Sequence, residues 1–182
     1  MDEPRTQRFL IVESDGKYAR WLQHSVSAGW PADSIVVMDW SSFARVHTAM
    51  TVRDYDIVLL SLAFDETLDE ITTDGFDWIR RLRGQPGFPE MVILAEGGSE
   101  LAAVRTLRLG AADYLPKRLL TPPRLQRSLK LTLRAIEKDA QRRAARMAPA
   151  TPRPAPPADA KSLEYIATHT GASLARAAQQ AM

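Results

Sequence analysis

Two short segments of this chain carry groups that could do chemistry where strands end. Glu13-Ser14-Asp15 directly follows the apolar run Phe9-Leu10-Ile11-Val12. Ser61 closes the run Asp56-Ile57-Val58-Leu59-Leu60-Ser61. A divalent metal wants several hard oxygen ligands, more than these residues offer. Ser61 is a weak nucleophile, and no base stands near it in sequence to activate it. His24, His47 and His169 are scattered, and nothing sets them beside a serine or carboxylate in a triad. They read as structural or exposed. There is no cysteine, which excludes disulfides, thiolate metal sites and cysteine catalysis. A third group, Asp65, Glu66, Asp69, Glu70 and Asp74, is rich in hard oxygens. Its spacing fits no calcium loop and it lacks the glycine bend, so it reads as a solvated acidic loop. It could cover the crevice or offer a partner surface. Neither a metal nor a cofactor is expected.

The elements that must position these residues follow from hydrophobic patterning. Short apolar runs alternate with stretches of helical period. Strands are expected at Phe9–Val12, Ser34–Met38, Asp56–Ser61, Met91–Leu94 and Asp113–Leu115. The first helix carries Tyr18, Leu22, Ser25 and Val26 on one face and stops at Gly29 and Pro31. Ser42 could cap a short helix with Phe43, Val46 and Met50. Asp74 could cap one with Phe76, Ile79 and Leu82 inward. Ser99 begins one through Leu101, Val104 and Leu107, closed by Gly110. The last helix starts near Thr121, since Pro122 and Pro123 are tolerated in a first turn. Five β–α units with near-continuous apolar strands make a parallel sheet covered on both faces. Right-handed crossovers then give a doubly wound sheet of order 2-1-3-4-5. In such a sheet the functional crevice opens at the carboxyl ends of strands 1 and 3. Glu13-Ser14-Asp15 and Ser61 stand there.

The chain has 182 residues, 45% of them hydrophobic, enough for one domain with a real core and an appendage. The net charge of +2 is unevenly spread. Residues 1–120 carry 13 Lys/Arg against 18 Asp/Glu, and residues 121–182 carry 11 against 4. The basic charges sit at helical spacing among leucines, which fits a solvated helix face better than a nucleic-acid or membrane surface. No apolar run approaches the roughly 18–20 residues that span a bilayer. The start, Met1-Asp2-Glu3-Pro4-Arg5, is unlike a signal peptide. A soluble cytoplasmic protein is expected.

Four motifs together resemble the receiver domains of bacterial two-component response regulators over about residues 7–135. They are Phe9 to Asp15, Tyr55 to Ser61, Asp74-Gly75-Phe76, and Gly110-Ala111-Ala112-Asp113-Tyr114-Leu115-Pro116-Lys117. The last is the most diagnostic. The resemblance implies the flavodoxin-like receiver fold. It also implies five groups for phosphoryl transfer. Two acidic residues after strand 1 hold Mg²⁺ with an acceptor aspartate after strand 3. A Ser or Thr follows strand 4, and a lysine follows strand 5. By position, those places are filled here by Glu13 and Ser14, Ser61, Ala95, and Lys117. Only Glu13 and Lys117 keep suitable chemistry, and Asp15 is one residue late. The chain therefore resembles a degenerate receiver, with Lys117 expected to pair with Glu13 without metal. Tyr114 occupies the place of the family's switch aromatic, where an ordinary half-buried tyrosine is an equal reading. Arg118 stands where many receivers have a proline. Two other functions are possible on this architecture. One is a phosphoacceptor using a displaced aspartate, Asp65 or Asp56. The other is a flavodoxin-like cofactor binder, which Glu13-Ser14-Asp15-Gly16-Lys17 disfavours because two carboxylates repel phosphate.

The final helix continues past what a receiver needs. Leu125, Leu129, Leu133, Ile136, Ala140, Ala144 and Met147 step by threes and fours, close to a heptad seam. Leu129, Leu133, Ile136, Ala140 and Met147 are the expected dimerisation positions. The domain organisation is then a receiver-like domain at 1–135, a helical extension at 136–148 and a Pro/Ala-rich linker at 149–160. A short helical tail, or the start of a following domain, occupies 161–182. Leu163 to His169 faintly resembles the lead-in helix of diguanylate cyclase domains, which suggests an output related to cyclic-di-GMP. The expected function is non-enzymatic: protein–protein interaction or homodimerisation that regulates a linked output domain beyond residue 182. No nucleic acid or membrane contact is expected through this domain.

Overall fold

A computed structural model of the chain describes residues 6–51, 54–64, 75–97 and 99–147. The acidic loop 65–74, the linker 149–160, the tail 161–182 and His169 lie outside the described residues, as do Asp65 and the Asp74 cap. The chain divides into a compact unit, Met1–Ala144, and a second unit, Ala145–Met182.

Among the described residues five strands alternate with five helices: β1 Phe9–Val12, α1 Gly16–Ser27, β2 Ile35–Met38, α2 Trp40–Val46, β3 Ile57–Leu62, α3 Gly75–Arg83, β4 Glu90–Ala95, α4 Glu100–Arg108, β5 Asp113–Pro116 and α5, which starts at Pro122 and runs to Met147. All four strand pairings are parallel, in the order β2-β1-β3-β4-β5. This is the sheet expected from the sequence. It forms because β1, β3 and β4 are apolar at nearly every position, which only a sheet covered on both faces can bury.

Alternation along the strands divides the core. Phe9, Ile11, Ile57, Leu59, Val92, Leu94 and Leu115 pack with Leu22 and Val26 of α1 and Leu125 and Leu129 of α5. Leu10, Val12, Val58, Leu60, Met91 and Ile93 face the other way, toward Phe43 of α2, Phe76 and Ile79 of α3 and Ala102 of α4. Side chains two apart share a face, so strand parity decides which helix each residue meets.

Several local expectations need correction. Asp39, not Ser42, caps α2: its Oδ1 accepts from the Ser42 amide at 2.9 Å. Asp56 lies just outside β3, which runs one residue past Ser61 to Leu62. Leu101, Val104 and Leu107 point outward, and α4 buries Ala102 and Thr106 instead. The small residues let α4 sit close to the sheet, so its larger apolar side chains are left outside.

The seam of α5 is also divided. Leu129 is fully buried in the domain's own core, and Leu133 and Ile136 pack against the same cluster. Ala140 and Met147 are exposed. The first half of the heptad pattern therefore serves the sheet, because α5 must cover the face formed by β1, β3 and β4. Only its second half remains open to a partner. Replacing Leu129 by Ala is expected to cost about 2–5 kcal/mol in urea denaturation. Met147→Ala should change stability by less than about 0.5 kcal/mol, as at other exposed positions.

Candidate functional site: a closed crevice at the strand ends

Parallel strands bring their carboxyl ends to one edge. The first residue beyond β1 (Glu13), the penultimate residue of β3 (Ser61) and the first beyond β5 (Lys117) converge there. Glu13 is held in line because its amide donates to the Met38 carbonyl at 3.0 Å, extending the β1–β2 ladder by one residue. Ser61 shares strand parity with Leu59 and Ile57 and so falls on the α1/α5 face. Lys117 begins a single 3₁₀ turn, Lys117–Leu119, that follows β5 and includes Arg118.

The three side chains meet on one oxygen. Lys117 Nζ donates to Glu13 Oε2 at 2.6 Å, and Ser61 Oγ donates to the same Oε2. Glu13 Oε1 accepts the Asp15 amide at 2.9 Å. Lys117 reaches further, to Glu96 Oε1 at 3.3 Å, and its ammonium lies 4.7 Å from the centre of the Tyr18 ring. The Lys117 and Glu13 side chains are only 11% and 5% exposed, so the pair is shielded from water. Such a pair is stable only if both partners are satisfied, and here each has more than one contact.

The other positions singled out in the sequence are used differently. Asp15 turns away to cap α1, accepting from the amides of Lys17 at 2.8 Å and Tyr18 at 3.2 Å. Those backbone donors hold its carboxyl below the ordinary carboxylate range. The Ser14 hydroxyl accepts from the Trp40 amide at 3.4 Å. Ala95 pairs with Leu62 and is buried in the opposite, apolar cluster. Tyr114 is buried rather than half-buried. Its hydroxyl donates to the Gly97 carbonyl at 3.1 Å and its ring packs 5.8 Å from Phe64. Of the three histidines, His47 is buried with Nδ1 3.0 Å from the Ala44 carbonyl, and His24 is exposed.

Three participants were missed: Glu96, Tyr18 and Trp40. Glu96 was legible in principle, because it is the first residue after β4 and strand ends define the crevice. Attention fell on Ala95, one residue early. Tyr18 and Trp40 gave no local signal, since an aromatic on a helix face reads first as core.

The electrostatics follow from this packing. Burial pushes the Glu13 carboxyl up, but the hydrogen bonds from Lys117, Ser61 and the Asp15 amide outweigh it and leave the group below its ordinary value. Burial, then the charges of Glu13 and Glu96, push the Tyr18 phenol up to about 12. Its hydroxyl is buried and has no hydrogen-bond partner among the described residues.

The crevice does not suit the Mg²⁺ that the receiver fold would imply. That ion takes near-octahedral oxygen coordination. Here Asp15 is committed to a helix cap, and Glu13 Oε2 is shared by an ammonium and a hydroxyl. Among the described residues no three His, Cys, Asp or Glu side chains are grouped to hold a metal. The lysine ammonium supplies the neutralising charge within the chain itself.

No profile of a known protein family matches the sequence. The chain is 32% identical over 111 residues to the transcriptional regulatory protein CusR of Escherichia coli K12, covering 60% of this chain and 44% of that protein. It thus spans under half the length of the regulators it resembles. Among solved structures, a CheY-like response regulator receiver domain from Methanospirillum hungatei JF-1 superposes with a TM-score of 0.55. It is 16% identical, over 74% of this chain and 99% of that one. A Francisella response regulator receiver domain gives 0.52 at 20% identity, over 71% and 98%. The fold of this chain is that of the response-regulator receiver domain.

Two measurements test the geometry. A Glu13 carboxyl held below 4.5 stabilises the fold above that pH, and the contribution is lost as pH falls through the depressed value. Lys117→Met should cost about 3 kcal/mol by stranding the buried carboxylate, and should flatten that acid limb in denaturation curves against pH. For Tyr18 the sign is opposite. Its neutral phenol contributes stability below pH 10.0, which is lost as pH rises through about 12. Ultraviolet titration should show a late tyrosine ionisation, and Tyr18→Phe should remove that step.

Proposed function

We propose that this chain is a receiver module of two-component signalling that works without phosphoryl transfer. It is non-catalytic and acts by contact with a protein partner or a second copy of itself. The carrying observation is the Lys117–Glu13–Ser61 cluster. The acceptor place holds a hydroxyl, and that hydroxyl is spent as a donor to Glu13. A serine so placed has no free base to take its proton, because the nearby carboxylate is already neutralised by Lys117 at 2.6 Å.

The displaced-acceptor reading finds less support. Asp56 precedes β3 and so lies at the opposite end of the sheet from Lys117. Its carboxylate accepts the Arg8 amide at 2.8 Å. Asp65 is outside the described residues.

By analogy with CusR, a transcriptional regulatory protein, the module would govern an output carried elsewhere. The sequence suggestion of a cyclic-di-GMP-related output stands as part of this proposal. Self-association would use the exposed part of α5, around Ala140 and Met147, since Leu129 is consumed by the core. Among the described residues no helix is long and apolar enough to cross a membrane, in keeping with action in the cytoplasm.

The test is incubation with acetyl phosphate, or with beryllium fluoride, in the presence of Mg²⁺. Intact mass should not change and the tyrosine spectrum should be unaltered. An acyl phosphate on any aspartate would overturn the reading.

A further inference from the structure

A strand end at a topological switch point is normally open to ligand. Here Ser61 is only 8% exposed and Glu13 only 7%. Lys117 and Tyr18 lie against Glu13 from the β5 and α1 sides. On the β2 side stands Trp40, the first residue of α2.

Trp40 is fixed by both its backbone and its ring. Asp39 begins the helix with a carboxylate that accepts from the Ser41 hydroxyl and from the amide and hydroxyl of Ser42. That turn sets the Trp40 backbone against β1, where its amide reaches Ser14 Oγ at 3.4 Å. The indole crosses to β3, and Nε1–H donates to the Ser61 carbonyl at 2.8 Å. Trp40 therefore bridges the two strand ends that frame the crevice. Its ring is also held from behind. Phe43 meets it edge-on at 5.3 Å and Trp78 of α3 at 5.3 Å. Trp78 is itself backed by His47 at 5.3 Å and by the Arg81 guanidinium at 5.3 Å. Swinging the indole out would break a hydrogen bond and unpack two ring contacts.

From this bridge we propose that Trp40 is the gate of the crevice: it excludes small anionic reagents, phosphodonors included, from Ser61 and Lys117. The inference deepens the phosphorylation-independent reading and rests on it. It adds that the crevice is closed by bulk as well as altered in charge. It also makes α2 and α3 the elements that would have to move for the crevice to open.

The absence of native cysteine permits a direct test. Ser61→Cys places a near-isosteric thiol in the crevice, and Thr106→Cys places one in the fully buried face of α4, remote from Trp40. Each is made alone and with Trp40→Ala or Trp40→Phe, and labelled with an anionic aromatic disulfide under native conditions. Thiol reactivity depends on access, so Trp40→Ala should accelerate labelling at position 61 by about tenfold or more, and at position 106 by less than about twofold. Trp40→Phe, which keeps a ring but loses the N–H, should fall between wild type and Trp40→Ala at position 61. If the position 61 rate is unchanged, or if both positions accelerate together because the fold has loosened, the gate is refuted. Labelling reads access and not phosphorylation. A failed gate thus leaves the acetyl phosphate result intact, and a phosphorylated aspartate would leave the labelling result intact.

Discussion

The ion pair between Lys117 and Glu13 organises the functional end of this domain. It joins the segments after β5 and β1, which lie on opposite sides of β3, and its shared oxygen also accepts a hydrogen bond from the Ser61 hydroxyl on β3 itself. Three strand ends are thereby tied at one atom. An unpaired carboxylate at this depth would carry a large desolvation cost, so the ammonium is required once the glutamate is buried. The second acid, Glu96, and the Tyr18 ring keep Lys117 directed inward. The same contacts that stabilise the pair use up the donors and acceptors a ligand would need.

This arrangement inverts the logic of a metal-dependent phosphoryl site. There, clustered carboxylates are relieved by a cation from solution, and the site responds to ligand. Here the cation is covalently part of the chain, and the cluster is complete in the resting fold. With a serine rather than a carboxylate at the end of β3, the Lys117 ammonium meets the buried Glu13 and the exposed Glu96. The aromatic group formed by Trp40, Phe43, Trp78 and His47 adds a steric element on the β2 side. The outward apolar residues of α4 and the later part of α5 stay exposed at the surface.

The fold was readable because its signals are redundant. Five apolar runs at regular spacing, separated by glycine, proline and capping residues, leave few topologies once right-handed crossovers are required. The details that were misread share one cause: local pattern does not say which face a neighbour will cover. On α4 the larger apolar residues read as the buried face, yet Ala102 and Thr106 take that place because the helix lies close to the sheet. On α5 one seam served two purposes, and only packing shows that Leu129 belongs to the core. At the cap of α2, Asp39 and Ser42 are both good candidates by type, and the path of the chain leaving β2 selected Asp39.

For the site, sequence alone determined which residue types stand at the strand ends. Residue identities at strand ends place Ser61 at the end of β3 and the oppositely charged Glu13 and Lys117 after β1 and β5, because strand parity and parallel order fix where those positions fall. Only tertiary structure decided how the survivors are used. Whether Asp15 faces the crevice or a helix amide, whether Glu96 reaches Lys117, and whether an indole from α2 crosses to Ser61 depend on side-chain directions set by residues far apart in the chain. Those directions come from packing three strand ends and their helices together, and no local window of sequence contains that information.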